Sequence, residues 1–381
     1  MDCRRVQRIG VVPTERGDRG TAEERNALVS SRQERSDRGT CFFNRYNFEL
    51  RIPYRELDDT LRQILERAGM SPERAELCAR LFADASADGV PSHGLNRFPL
   101  FVSCIARGLV DVSATPECVA SFGGLERWDG RRGPGNLNAH RCMDRAIELS
   151  RAHGVGAVAL AQTNHWMRGG AYGWQAADAG VVGICWTNTL PNLPPWGSTS
   201  PTIGNNPLVI AVPRAGGHVV LDMAMSQFSY GALSVHRMRG EELPVDGGYD
   251  EDGRLTRSPA AIERTQRLLP IGFWKGSGLS IMLDMIATLL SGGRATHEIT
   301  NVVADETGQS QVFLALDPAT LGSRDEMMES VGRIIDDLHQ AGDDVRYPGE
   351  RTLATRQRSL AEGVEVEPSI WEAVRALLRR A

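Results

Sequence analysis

The chain has 381 residues, 41% of them hydrophobic and 24% charged, with a formal net charge of −5. That length permits two or three packed units. The negative balance argues against a nucleic-acid binder that works through bulk electrostatics, and no apolar run approaches the roughly 20 residues that span a bilayer.

Residues 1–49 are rich in arginine and acidic residues, hold few large apolar side chains before Cys41-Phe42-Phe43, and repeat Asp-Arg-Gly-Thr at 18–21 and 37–40. Such a stretch buries too little apolar area to offset its ordering entropy, so disorder, or an extension from a start site assigned too early, is expected. Met1 to Gly10 has no apolar h-region, hence no secretory signal is read there.

From Arg51 the pattern turns globular. The spacing of Leu57, Leu61, Ile64, Leu65 and Ala68 predicts a helix over Pro53 to Gly69. Ser71-Pro72-Glu73 opens a second helix as a cap followed by proline. Helices are predicted over Gly94 to Ala106 and Asn138 to His153. Beyond Gly154, short apolar runs at 155–161, 181–186, 207–212, 218–223 and 311–316 read as buried strands, with a helix at about 170–179 between the first two. Residues 277–290 predict a helix apolar on most sides and therefore buried, and 325–340 and 368–380 predict amphipathic helices. The class is α/β with a mixed sheet, organised as a mainly helical substrate and dimer region (50–150), a cofactor-binding and catalytic sheet domain (151–345) and a C-terminal segment packing back on the core (346–381).

Seven dispersed cysteines without a Cys-x-x-Cys pair fit a reducing cytoplasm, and eight histidines without His-x-x-x-His spacing give no support to a metal site. Gly154-Val155-Gly156-Ala157-Val158-Ala159 matches Gly-x-Gly-x-x-Ala, but a helix precedes it and a strand follows, the reverse of the dinucleotide fingerprint. Lys275 is the only lysine among 43 basic residues. It lies in Trp274-Lys275-Gly276-Ser277-Gly278, where a glycine-rich entry to a helix leaves N–H groups free to face an anion.

Three other segments carry chemistry. Ser92-His93-Gly94-Leu95-Asn96-Arg97 offers a loop imidazole suited to proton transfer near neutrality, a hydroxyl to orient it, and a guanidinium that could grip a carboxylate. Asn164-His165-Trp166-Met167-Arg168-Gly169-Gly170 follows a strand end, where ligand sites of α/β proteins gather. Asp222 closes the apolar strand 218–223, and a buried carboxylate needs a partner. A Schiff-base lyase built on Lys275 and a non-catalytic dinucleotide-binding protein are the competing readings of these residues.

Taken together, these segments resemble the malate/L-lactate dehydrogenases of the second type, over about Arg51 to Ala381. The carriers are Ser92-His93-Gly94-x-x-Arg97, Asn164 to Gly170, Ile203-Gly204-Asn205-Asn206-Pro207, Leu221-Asp222-Met223-Ala224-Met225-Ser226 and Trp274 to Gly278. The resemblance implies a non-Rossmann NAD(P)-binding fold, a mixed sheet with flanking helices plus a helical N-terminal region. It also implies a homodimer, a small keto or hydroxy acid substrate, and NAD(H) or NADP(H) as cofactor. Carried over, His93 is the general acid, assisted by Ser92 and Asp222, and Arg97, Asn164, His165 and Arg168 bind substrate. The cofactor would lie along His218, Val219, Val220, Leu221, Asp222, Met223 and Ala224, touch Trp274 and Lys275, and meet Gly349-Glu350-Arg351. Asp222 would hold either His93 or the nicotinamide ribose. Two departures stand out: Asn205 replaces a usual Thr, and Gly349-Glu350-Arg351 replaces Gly-His-Glu. The added guanidinium would suit a ribose 2′-phosphate.

Overall fold

The computed structural model describes residues 50–300 and 305–380, so the expectation for residues 1–49 lies outside the described residues. Strand β1 (Leu50–Ile52) leads into helices α1 (Tyr54–Arg67) and α2 (Pro72–Ala87), two short 3₁₀ turns (Pro91–His93 and Leu95–Arg97) and α3 (Phe98–Ala106). A hairpin, β2 (Glu117–Phe122) and β3 (Leu125–Asp129), precedes α4 (Gly135–His153), β4 (Val155–Asn164), α5 (Gly170–Asp178) and β5 (Val182–Thr187). Then come β6 (Leu208–Val212), β7 (Val219–Met223), α6 (Tyr230–Met238), a small pair β8 (Gly248–Tyr249) and β9 (Leu255–Thr256), α7 (Pro259–Thr265) and α8 (Trp274–Ser291). The chain ends with β10 (Thr307–Leu316), α9 (Arg324–Gln340), α10 (Glu350–Glu362), β11 (Val364–Val366) and α11 (Pro368–Arg380).

Seven strands form one sheet in the order β2-β3-β4-β10-β5-β6-β7. Only β3 and β4 run parallel, joined by the α4 crossover, and every other neighbouring pair is antiparallel. That order differs from the doubly wound parallel sheet that carries the usual dinucleotide fingerprint. Gly154 caps α4 with φ +80°. Gly156 lies inside β4, where a Cβ would come within 2.0 Å of the Ala146 carbonyl oxygen, so this glycine serves close helix–strand contact.

Alternation along the central strands divides the interior in two. Val158, Leu160, Phe313 and Ala315 face α4 and α5, while Ala159 and Val312 face Leu283 and Ala287 of α8. A separate apolar cluster joins α1, α2 and α3 to Val364, Val366, Trp371 and Val374. The C-terminal segment therefore shares a core with the first helices, and β11 pairs with β1.

Helix α8 departs from the expectation that it is buried on most sides. One face packs on the sheet, but Leu279, Met282, Met285 and Leu289 form a stripe along the opposite face, with Leu289 74% exposed. Apolar content alone could not show that a single chain supplies only one partner surface for this helix.

Replacing Gly156 with valine forces new atoms into the α4 backbone, and overpacking of this kind costs about 2–3 kcal/mol. Urea denaturation should show a correspondingly lower midpoint, and an unchanged midpoint would contradict the tight α4–β4 contact.

Candidate active site

The turn between α2 and α3 presents His93. Pro91 opens its first 3₁₀ turn, and the Leu95 amide donates to Ser86 Oγ at 2.8 Å, tying the second turn back to α2. Ser92 Oγ lies 3.0 Å from His93 Nδ1, and the ring stacks on His165 with centroids 5.7 Å apart. Burial pushes the His93 imidazole down to about 4; Asp222 pulls it back up, while Arg97 and Arg168 press it lower. The ring is therefore neutral at pH 7.

His165 is held well below the usual histidine range by burial and by Arg97 and His93. The Met167 amide donates to His165 Nδ1 at 3.0 Å, which places the proton of the neutral ring on Nε2. Trp166, buried against Tyr172 and Phe313, anchors this loop beneath β4 and β10. The Asn164 amide nitrogen donates to the carbonyls of Arg132 and Gly133 at 2.8 and 2.9 Å, while its buried Oδ1 has no hydrogen-bond partner. That acceptor is available to a ligand hydroxyl or amine.

Arg168 turns the other way and pairs with Asp88, the C-cap of α2. The Gly170 amide, at the start of α5, donates to Asp222 Oδ2 at 2.8 Å. A Cβ on residue 170 would approach that oxygen to 2.7 Å, so only glycine brings this helix start against β7. Asp222, expected to be a buried carboxylate, keeps a side chain 29% exposed because β7 is the outermost strand of the sheet.

β7 also gathers the segments expected to hold a cofactor. The Val220 amide donates to the Pro348 carbonyl at 2.8 Å, which sets Gly349-Glu350-Arg351 alongside the strand. Glu350 accepts from the Tyr347 amide at 3.1 Å and pairs with His339 at 3.3 Å. His218, before β7, contacts Asp178 at 2.9 Å and accepts the Arg214 amide at 3.1 Å. Past the other end of the strand, Ile271 N–H donates to Met225 O at 2.8 Å, so the turn to Trp274 and Lys275 follows directly. Lys275 is exposed in the first turn of α8 rather than enclosed in a tight pocket. The surroundings suit a dinucleotide: an outer strand backbone, a partly exposed carboxylate, a buried Trp174 Nε1 without partner, and an exposed ammonium at a helix start.

Beside His93 a small pocket open to solvent is lined by Arg97, Phe101, Asn164, His165, Met167 and Glu306. Arg97, expected to grip a substrate carboxylate, already faces Glu306 at 3.3 Å. Glu306 also accepts from Gln309 at 2.6 Å, and burial raises its carboxyl above the ordinary range. Glu306, Asp88 and Arg356 are the polar partners that sequence reasoning missed. Asp88-Gly89 four residues before the Ser92-His93 motif was a signal for one of them.

Comparison with known proteins identifies the family of the chain. The family model described as malate/L-lactate dehydrogenase matches residues 52–375. The chain is 45% identical over 333 residues to proteins named 2,3-diketo-L-gulonate reductase from Citrobacter koseri and Klebsiella pneumoniae, covering 86% of this chain and 100% of each relative. Among solved structures, sulfolactate dehydrogenase from Methanocaldococcus jannaschii shares the fold with TM-score 0.82 at 24% identity, covering 87% of this chain and 97% of that one. Delta1-piperideine-2-carboxylate reductase from Pseudomonas syringae gives TM-score 0.78 at 30% identity, covering 86% of this chain and 99% of the other.

Two imidazoles kept neutral by burial carry a stability consequence. Their folded values lie below the unfolded value near 6.5, so in acid the unfolded chain binds more protons and folding weakens. Stability should be fully present above about pH 6.5 and fall as pH drops towards about 4. Urea titrations at pH 7.5 and 5 should show this loss, and it should shrink in His165→Asn; an equal loss in the variant would contradict the neutral-ring assignment.

Proposed function

The chain belongs to the malate/L-lactate dehydrogenase family and is an oxidoreductase acting on CH–OH groups, and we propose that within it the protein reduces a 2-oxo or 2,3-dioxo carboxylate to the 2-hydroxy acid, with 2,3-diketo-L-gulonate as the preferred substrate. The observation that carries this reading is the convergence on His93 of His165, stacked against it, and of Arg97 and Asp222, with His165 and Arg97 also lining the pocket. Identity of 45% along the full length of reductases with that substrate in their names supports the choice.

A nicotinamide dinucleotide, NAD(H) or NADP(H), would be held along His218 to Ala224, by Trp274 and Lys275, and by Gly349 to Arg351. When bound it supplies hydride to the carbonyl carbon. His93 gives the proton to the carbonyl oxygen, and Ser92 Oγ orients the ring from Nδ1. An imidazole neutral in the resting site becomes a donor when an anionic substrate joins Asp222 in favouring its charged form. The Nε2 proton of His165 and the free Oδ1 of Asn164 would bind the substrate's oxygens and hydroxyls, with Arg97 drawn from Glu306 to its carboxylate. The exposed stripe on α8, continued by Phe273 and Trp274, supports a homodimer with this face covered, close to the cofactor segment. Buried thiols at Cys78, Cys142 and Cys185 are consistent with the reducing cytoplasm as its location.

A panel of keto acids and the cyclic imine piperideine-2-carboxylate, each with NADH and NADPH and followed at 340 nm, tests the reading. Turnover of 2,3-diketo-L-gulonate above the others supports it, whereas preference for the imine or for no substrate overturns it. His93→Gln should lower kcat by about 10²–10⁴-fold while cofactor Kd stays within a few-fold. Because reduction needs the imidazolium and the free ring has a depressed pKa, kcat/KM should fall as pH rises through neutrality, and this dependence should vanish in the variant. Met285→Glu with Leu289→Arg should convert a dimer to a monomer by light scattering; an unaltered mass would place the interface elsewhere.

A further inference from the structure

Asp88 is the most connected buried carboxylate near the site, with a side chain only 1% exposed. Arg356 of α10 meets it with two hydrogen bonds, Nε to Oδ1 at 2.6 Å and Nη2 to Oδ2 at 2.7 Å, and Arg168 Nη1 adds a third to Oδ2. Arg356 also lies over the Trp174 ring at 4.7 Å. Arg168 consequently turns only its Nε towards Asp222, 4.0 Å from Oδ2, too far for a hydrogen bond, and that buried Nε has no other acceptor. A buried donor left short of a carboxylate is costly unless something holds it back. The two acids and two guanidinium groups balance as a set, but unevenly: Asp88 takes both cations, and Asp222 is left with one backbone N–H.

We propose that Asp88 is a positioning residue that, by sharing itself between Arg168 and Arg356, keeps Arg168 from closing on Asp222 and so leaves that carboxylate to the imidazole of His93. The groups facing His93 are few. Ser92 and Arg97 come from its own turn, His165 and Arg168 from the β4–α5 loop, and Asp222 from β7, with Glu306 behind Arg97. Only Asp222 favours the charged ring, so its pairing sets how readily His93 holds a proton. The catalytic consequence rests on the proposed reduction, but the electrostatic arrangement does not.

The charges dictate opposite effects from the two ends of the hub. Asp88→Asn leaves two guanidinium groups with one carboxylate, so Arg168 moves onto Asp222 and His93 protonates less readily. Arg356→Gln removes a competitor, so Asp88 holds Arg168 more firmly and His93 protonates more readily. Arg356→Lys keeps the charge and restores the original behaviour. Histidine NMR titration, with His93→Gln assigning the signal, reads this in full-length protein without substrate. The midpoint should fall by about half a pH unit or more in Asp88→Asn and rise by a similar amount in Arg356→Gln. Midpoints that stay put, or move the same way in both, would overturn the proposal. If Asp88→Asn does not fold, the rise in Arg356→Gln and its reversal in Arg356→Lys decide alone. Shifts of the expected signs in a protein that turns over no keto acid would support the charge arrangement and refute the reductase reading, so the two failures are distinguishable.

Discussion

The site depends on one short contact, the Gly170 amide held by the Asp222 carboxylate at 2.8 Å. It joins the start of α5, and with it the Asn164–Arg168 loop, to the outermost strand of the sheet. Both partners are constrained: a side chain at 170 would collide with the acid, and the acid must stand on β7 to face the loop. A helix N-terminus favours a negative charge, so the contact suits the carboxylate that stands near His93. The segments that would hold substrate and those that would hold cofactor meet there.

Around that junction the protein separates charge from proton. His93 and His165 lie in surroundings that strip them of charge, while Arg97 and Arg168 are each engaged by a carboxylate, Glu306 and Asp88. Among the described residues no cation lies unopposed beside the rings, and an entering carboxylate would change the balance of each pair. Binding and protonation are thus coupled through a few short contacts rather than through the net charge of the chain.

Much of the scaffold was legible in the sequence. α1 and α2 follow their apolar spacing, and β4, β5, β6, β7 and β10 follow their β-branched runs to within a few residues. The β2–β3 hairpin was not, because β2 is exposed throughout and carries no alternation to read. α10 was missed for a related reason: Ser359 is its only buried residue, so it lacks an apolar stripe. The stretches of the site that are contiguous, Ser92 to Arg97 and Asn164 to Gly170, could be read as units. Glu306 and Arg356 could not, since they meet Arg97 and Asp88 across 209 and 268 positions of chain and only the fold brings them near.

The central claim is geometric: the His93 ring and a reduced nicotinamide attend the same carbonyl, with the cofactor laid along β7. A crystal structure of the protein with reduced cofactor and an unreactive keto-acid analogue tests it most directly. A His93 ring nitrogen should lie within about 3 Å of the analogue's carbonyl oxygen, with nicotinamide C4 close to the carbonyl carbon. A nicotinamide bound away from β7, or a carbonyl oxygen met by another donor while His93 stays on its present neighbours, would contradict it.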